Sequence, residues 1–285
     1  MYKQSVDSKK LSPLAETLLK PRYLALKNFK PKVNIFIEKE RFIIKTAQNH
    51  EDLAAILRLR YDIFYRELLE KKRILTGIDI DKFDFICDHL IIIDKKTSRY
   101  IGTYRLLCSL FSKRFYSATE FDLNSILALP GVKLELGRAC VHKDYRTGST
   151  ITHLWRGISS YMNETGTKYL FGCSSVKNQD KSEIARIYRH LSDNHLTPVH
   201  YRAYPKRKFK IKKLPQILQT LEQTRPADQD ESVVELIPAL LKSYINMGAL
   251  VCGEPAYDRK FKCADFLTLF DIENSSLQAK RKYRL

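Results

Sequence analysis

The chain has 285 residues, 44% of them hydrophobic and 11% aromatic, which is enough to bury a full core and excludes a wholly disordered or low-complexity protein. Lys and Arg number 50 against 32 Asp and Glu, and the net charge of +18 calls for an anionic partner: nucleic acid, a lipid headgroup surface or an acidic protein. Apolar stretches such as Leu90–Ile93 and Val233–Leu241 break off well short of the ~20 residues a membrane-spanning helix needs, and residues 1–30 lack the apolar centre of a secretory signal, so a cytosolic location is expected.

Residues 1–34 are polar and basic with scattered Pro and read as an arm, with room for one short helix. A β-branched and aromatic run, Arg41–Thr46, predicts a strand. Asn49 then has the character of an N-cap before Glu51, Asp52 and the helically spaced Leu53, Ile56, Leu57, Tyr61, Phe64 and Leu68, which predicts an amphipathic helix ending near Leu69. Leu75–Asp88 is an Asp-rich loop whose glycine and acids do not fit a calcium loop. Strands follow at His89–Ile93, Tyr100–Leu107 and Lys133–His142, then a helix from Ser149 to about Glu164, a strand Tyr169–Ser174 and a helix from about Lys181 to His195.

Thr197–Asp230 is the least globular stretch, with Lys206, Arg207, Lys208, Lys210, Lys212 and Lys213 crowded into it and no acid between Lys206 and Glu222. A helix from about Val233 to Met247 and strands Ala249–Glu254 and Ala264–Asp271 complete the chain. Strands alternating with helices, and no internal repeat, predict one α/β domain with a mixed sheet. The expected boundaries are a basic arm at 1–34, the domain at 35–275 with a basic insertion at about 197–230, and a basic tail at 276–285.

The six cysteines are far apart, with no C-x-x-C pair and no zinc-type histidine spacing, so they read as buried reduced thiols and no metal site is expected. Two motifs mislead. His89 and Asp94 fit a His-x4-Asp pattern, but residues five apart on a regular strand point to opposite faces. Gly172-Cys-Ser-Ser175 lacks the second glycine of a nucleophile elbow and reads as the end of a strand.

Most informative is the segment Leu134–Ser149: a strand running through Glu135 and Arg138 into the loop Arg146-Thr-Gly-Ser149 and then a helix. Such a turn can aim backbone N–H groups and the positive helix end at a phosphate, although Gly is also a common turn residue. An acid at Glu135 among apolar neighbours is, on general grounds, a paired structural carboxylate with Arg138 as its partner.

Several further segments occur in one order: Leu59-Arg-Tyr-Asp-Ile-Phe64, Asp79–Asp84, Cys87-Asp-His89, Gly102–Leu107, Phe115-Tyr-Ser117, Glu120-Phe-Asp122, Leu154-Trp155, Tyr169–Cys173, Cys252-Gly-Glu-Pro-Ala256 and Ala264-Asp-Phe266. Together with Glu135–Gly148 they resemble the GNAT-superfamily N-acyltransferases that make lyso-ornithine lipid from acyl carrier protein thioesters, relatives of the acyl-homoserine lactone synthases. The resemblance covers Arg60–Asp271.

It implies a GNAT-like α/β fold with a mixed, mostly antiparallel sheet flanked by helices. It also implies transfer of a 3-hydroxy fatty acyl group from acyl carrier protein, or from coenzyme A, to the amine of ornithine, with no permanently bound cofactor. Glu135 would be the general base, and backbone N–H groups around Arg138–Cys140 would receive the oxyanion. The pantetheine arm would lie in the gap where the strand of Glu135 splays from Tyr169–Ser174, and Arg146, Thr147, Gly148 and Ser149 would hold its phosphate. Arg60, Phe64, Asp79, Asp81, Asp84, Arg105 and Arg138 match a signature that shapes the amine and acyl pockets, although an internal salt-bridge lattice would explain them equally well. His89 and His142 also fit the pattern, and for each a structural role is favoured over a proton shuttle.

Lys206, Arg207, Lys208, Lys210, Lys212 and Lys213, with Lys280–Arg284, read as a solvated loop or as the contact with acidic acyl carrier protein or the anionic cytosolic membrane face, where the protein would sit peripherally. A downstream O-acyltransferase is a further expected partner. An acyl-homoserine lactone or other N-acyl amino acid synthase is the competing enzyme. A non-catalytic nucleic-acid-binding protein has only charge in its favour, since the chain shows neither C2H2 spacing nor an RNP-type aromatic strand.

Overall fold

The computed structural model describes residues 26–69, 77–224 and 232–273. The predicted tail, with Lys280–Arg284, and residues 1–25 of the arm lie outside them. The chain forms an α/β fold whose sheet is mixed, mostly antiparallel and flanked by helices. It gathers into two compact units, one of the residues up to Phe111 with Leu136–Thr165, the other of Ser112–Glu135 with the residues from Gly166 onward. Strand β6 (Val132–Val141) gives its first residues to the second unit and its last to the first.

In the first unit, β1 (Phe36–Glu38), β2 (Phe42–Thr46), β3 (Asp88–Asp94) and β4 (Arg99–Cys108) pair antiparallel in sequence order, and the later part of β6 lies beside β4. Asn49 caps α1 (His50–Tyr61) by accepting a hydrogen bond from the Asp52 amide at 2.9 Å, as its position predicts. Leu53, Ile56 and Leu57 of α1 are fully buried against Ala47, Ile78 and Ile91. Beyond Tyr61 the helix widens into a π-helical stretch, Asp62–Leu68, which has no signature in the local sequence.

Helix α2 (Gly148–Thr165) packs Leu154, Trp155, Ile158 and Tyr161 onto β2, β3 and β4. Its Gly157 lets the helix approach closely: a Cβ there would stand 2.6 Å from a Leu90 methyl and 2.9 Å from Ile44.

In the second unit the start of β6 pairs in parallel with β7 (Thr167–Val176), the last pair being Glu135 with Phe171. Next to β7 runs β11 (Cys263–Asp271), antiparallel over Ala264–Asp271, with β10 (Ala256–Asp258) on its far side and the short β9 (Leu250–Val251) also paired with it, while β5 (Phe121–Asp122) and β8 (Tyr204–Pro205) pair with each other. The helix predicted at Lys181–His195 forms over that range as α3. Gly172–Ser175 forms the last part of β7, as expected, with one further residue, Val176, still paired with β11.

Three expectations are corrected here. Residues 197–224 of the stretch after Thr197 are folded: helix α4 (Leu214–Thr224) sets Leu214, Ile217, Leu218 and Leu221 against the core formed with α3, a spacing of three and four that the surrounding lysines obscured. The helix predicted over Val233–Met247 breaks into Val233–Leu236 and Ala239–Met247, since Ile237, preceding Pro238, is driven into an extended conformation (ψ 122°). The strand predicted at Ala249–Glu254 reaches only Leu250–Val251. Gly253 turns with a φ of 148°, and a Cβ there would stand 2.8 Å from the Ala203 carbonyl.

Candidate active site

In the first unit all seven residues of the predicted substrate-binding set come together. Arg60 projects from α1 with no exposed surface, its Nε donating to Asp79 at 2.8 Å and its Nη1 to Asp84 at 2.7 Å. Arg105, on β4, donates from Nη1 to Asp81 at 2.8 Å and to Asp84 at 3.3 Å. Arg138 closes the ring, with Nη2 3.2 Å from Asp81 and Nε 3.4 Å from Asp79, and its guanidinium lies 5.8 Å from the centre of the Phe64 ring.

Three guanidiniums thus face three carboxylates. Burial pushes the Asp84 carboxyl up, but Arg60 and Arg105 outweigh it and hold the group well below the usual carboxylate range. Asp79 is lowered in the same way, burial being overcome by Arg60 and Arg138. Arg60, Asp79 and Asp84 are internal, whereas Asp81 and Arg138 have side chains 23% and 12% exposed and form the rim. Arg138 also adopts a φ of 51° within β6, a left-handed conformation costing about 1–2 kcal/mol in a non-glycine residue.

Fully buried His89 places Nε2 3.1 Å from the Asp84 carbonyl oxygen, which can only accept, so Nε2 carries the proton. Burial, assisted by Arg60 and opposed by Asp84, pushes its pKa down to about 4, and the ring is neutral at physiological pH. It pins the Asp84 loop. His142 accepts from the Asp144 amide at 3.3 Å and caps the short turn Lys143–Tyr145. Asp94 is held by Arg41 at 2.9 Å and Tyr145 at 2.9 Å, and forms no pair with His89.

The loop ahead of α2 is exposed from Arg146 to Ser149, apart from a partly covered stretch before it, and the Thr147 and Ser149 hydroxyls lie 2.8 Å apart. Arg146 is engaged by a residue that local sequence could not suggest. Its Nη1 and Nη2 meet the two oxygens of Glu67, on the π-helical stretch, at 2.5 and 2.7 Å, while its Nε donates to the Val141 carbonyl at 3.1 Å.

In the second unit Glu135 is 4% exposed, and its carboxylate accepts from the amides of Tyr116 at 2.8 Å and Ser117 at 2.6 Å. Of the roughly four lone-pair directions a carboxylate offers, these bonds use two and fix its plane. Arg138, the partner expected from sequence, turns its guanidinium to Asp79 and Asp81.

The Ser117 hydroxyl lies 3.4 Å from Cys173, whose thiol burial pushes well up, out of the range of an activated nucleophile. The cysteines are free thiols, and all but the half-buried Cys173 are buried. Below Cys173, the carboxyl oxygens of buried Glu120, Asp258 and Asp265 lie within 4.8 Å of one another. Burial, then the neighbouring Asp265, pushes Glu120 up to about 9, and Asp265 is raised as well, so Glu120 keeps a proton and shares it with Asp265. Glu120 and Asp265 stood in the matched motifs, but without a positive partner nearby no local pattern announced them as a pair.

The six basic residues from Lys206 to Lys213 are exposed, between buried Pro205, Ile211 and Leu214. Arg259, Lys260 and Lys262 extend the surface, Arg259 donating to the Lys208 carbonyl.

A family model described as an acetyltransferase (GNAT) domain matches residues 59–156, which span the lattice, Glu135 and the Arg146 loop. The chain is 30% identical over 242 residues to an L-ornithine N(alpha)-acyltransferase of Rhizobium meliloti (strain 1021), covering 80% of this chain and 79% of that protein. It is also 30% identical over 252 residues to an enzyme of the same name from Rhodobacter capsulatus, covering 84% of this chain and 93% of that protein. Among solved structures, the CoA-dependent acyl-homoserine lactone synthase BjaI aligns at a TM-score of 0.44 and 16% identity, over 81% of this chain and 80% of that one. The protein is a GNAT-type acyltransferase. It belongs to the L-ornithine N(alpha)-acyltransferase family.

Two outcomes follow from these geometries. Replacing Arg60 by Met leaves Asp79 and Asp84 buried with only their longer contacts to Arg138 and Arg105, and urea unfolding should show a loss of about 3–5 kcal/mol. Because Glu120 is protonated when folded and ionised when unfolded at neutral pH, its contribution to stability is full below about pH 4 and declines until about pH 9. Thermal unfolding of Glu120→Gln followed between these limits should therefore depend less on pH than that of the unchanged protein; an identical slope refutes the shared proton.

Proposed function

We propose that the protein transfers a fatty acyl group, 3-hydroxylated, from the phosphopantetheine thioester of acyl carrier protein to the α-amine of ornithine, releasing a lyso-ornithine-type lipid. The observation that carries this reading is the agreement of the two relatives in name and in span, each aligned along four fifths or more of this chain. A coenzyme A thioester would present the same phosphopantetheine arm.

The chemistry assigns tasks that the residues can meet. An amino-acid amine is mostly ammonium at neutral pH and must lose a proton before its nitrogen attacks the thioester carbonyl. Glu135 is the base in this reading, its carboxylate plane already set by the Tyr116 and Ser117 amides. The C–N bond forms as the carbonyl oxygen takes the negative charge, which backbone amides around Arg138–Cys140 would receive. Collapse breaks the C–S bond and expels a thiolate, whose reference pKa of about 8.5 makes it a good leaving group needing little acid assistance.

Arg146, Thr147, Gly148 and Ser149, at the N-terminus of the 18-residue α2, would bind the donor phosphate. Of the lattice, rim residues Asp81 and Arg138 with Phe64 are the members placed to meet substrate, while Arg60, Asp79, Asp84 and Arg105 hold them in position. No described helix is long and apolar enough to cross a membrane. We assign the exposed run of Lys206, Arg207, Lys208, Lys210, Lys212 and Lys213 to contact with the acidic carrier protein or with the anionic cytosolic membrane face, where an O-acyltransferase would take up the product.

A glutamine at position 135 can satisfy only one of the two backbone amides, so Glu135→Gln should cost about 1–3 kcal/mol of stability as well as turnover. Assayed at a temperature where the variant is fully folded, kcat should fall by about 10²–10⁴ and the acidic limb of the pH–rate profile should disappear. Activity that tracks only the folded fraction contradicts the base assignment. Reversing Lys208 and Lys210 to Glu should raise the KM for carrier-bound donor or weaken sedimentation with phosphatidylglycerol vesicles; if neither changes, the run is a solvated surface.

A further inference from the structure

Arg146 already has three of its five N–H donors engaged. Glu67 meets it edge-on with two oxygens, in the bidentate fork that a guanidinium offers equally to a carboxylate or a phosphate, and the third guanidinium nitrogen is tied to the Val141 carbonyl. The fork oxygens of a phosphate and those of Glu67 cannot occupy the same guanidinium edge together.

Both side chains are in reach of solvent, Arg146 45% and Glu67 37% exposed, so the pair can open without breaking the core. Exposed ion pairs of this kind are weakly held. Glu67 also sits on the π-helical stretch Asp62–Leu68, an irregularity that recurs at functional sites and that sets the rotation of the residues after Tyr61 relative to α1. The Arg146 bond holds the Glu67 carboxyl below its usual range, so it is ionised at any pH at which the enzyme would work.

We propose that Glu67 is an internal stand-in for the donor phosphate: it holds Arg146 in its binding posture while the site is empty and must yield that guanidinium edge when the acyl donor arrives. Glu67 is then a positioning residue that sets donor affinity, and its carboxylate counts against the donor twice, by occupying Arg146 and by leaving a negative charge beside the incoming phosphate. The inference rests on the assignment of Arg146–Ser149 to the donor phosphate.

Phosphopantetheine binding by titration calorimetry, together with the KM for acyl carrier protein thioester, tests it on Glu67→Gln, Arg146→Ala and the double variant. Glu67→Gln should tighten phosphopantetheine about fivefold and lower the donor KM by a similar factor, more than it changes kcat. Arg146→Ala should weaken both at least tenfold, and in its background Glu67→Gln should have no further benefit. Unchanged or weakened binding in Glu67→Gln, with Arg146→Ala impaired, overturns the stand-in and leaves the phosphate site intact. Unchanged binding in Arg146→Ala removes the phosphate site itself.

Discussion

Arg60 has no surface exposed to water and carries a full positive charge, and much of the first unit is arranged to make that possible. Removing an ion from water costs several kcal/mol even after relaxation, and only close, hydrogen-bonded counter-charges offset it. Asp79 and Asp84 supply them, Arg105 and Asp81 extend the array, and Arg138 closes it. The lattice fastens α1, the 79–84 loop, β4 and β6 to one another through side chains, beside the backbone bond from the Asp79 amide to the Leu57 carbonyl. It also gives a reason for the left-handed Arg138: three polar and aromatic partners hold a backbone conformation that sterics disfavour.

In the proposed reading the same array divides structural from functional labour: its buried members orient the partly exposed Asp81 and Arg138, which would meet substrate. Preorganisation of this kind lets a site present fixed charges without reorganising during reaction. The second unit uses the opposite device around Glu120 and Asp265, where two buried carboxyls with no positive partner among the described residues retain a proton between them. Burial thus sets opposite protonation states for acids in the two units, according to whether guanidiniums or further carboxyls surround them.

Where the sequence was legible, local physics dominated. The Asn49 cap, the Lys181–His195 helix and the main strands follow from capping chemistry and periodicity within a dozen residues. The membership of the lattice was visible by resemblance, but its role was not, because whether Arg60 faces a ligand or Asp84 depends on how the 79–84 loop folds over α1. Contacts distant in sequence were invisible for the same reason. Glu67 and Arg146 are 79 positions apart, and Asp258 and Asp265, brought together by the pairing of β10 with β11, are met by Glu120 from a distant segment of the chain. The amphipathic spacing in Leu214–Leu221 was present but masked by the neighbouring lysines, and the break at Ile237 was signalled by Pro238 and outweighed by a continuous apolar run.

The full-length protein incubated with 3-hydroxyacyl–acyl carrier protein, and in parallel with the coenzyme A thioester, against a panel of ornithine, lysine, glycine and S-adenosylmethionine, should be followed by mass spectrometry of the products. The account predicts an α-N-(3-hydroxyacyl)ornithine formed together with free thiol. Formation of an acyl-homoserine lactone, or consumption of thioester without an ornithine amide, would contradict it.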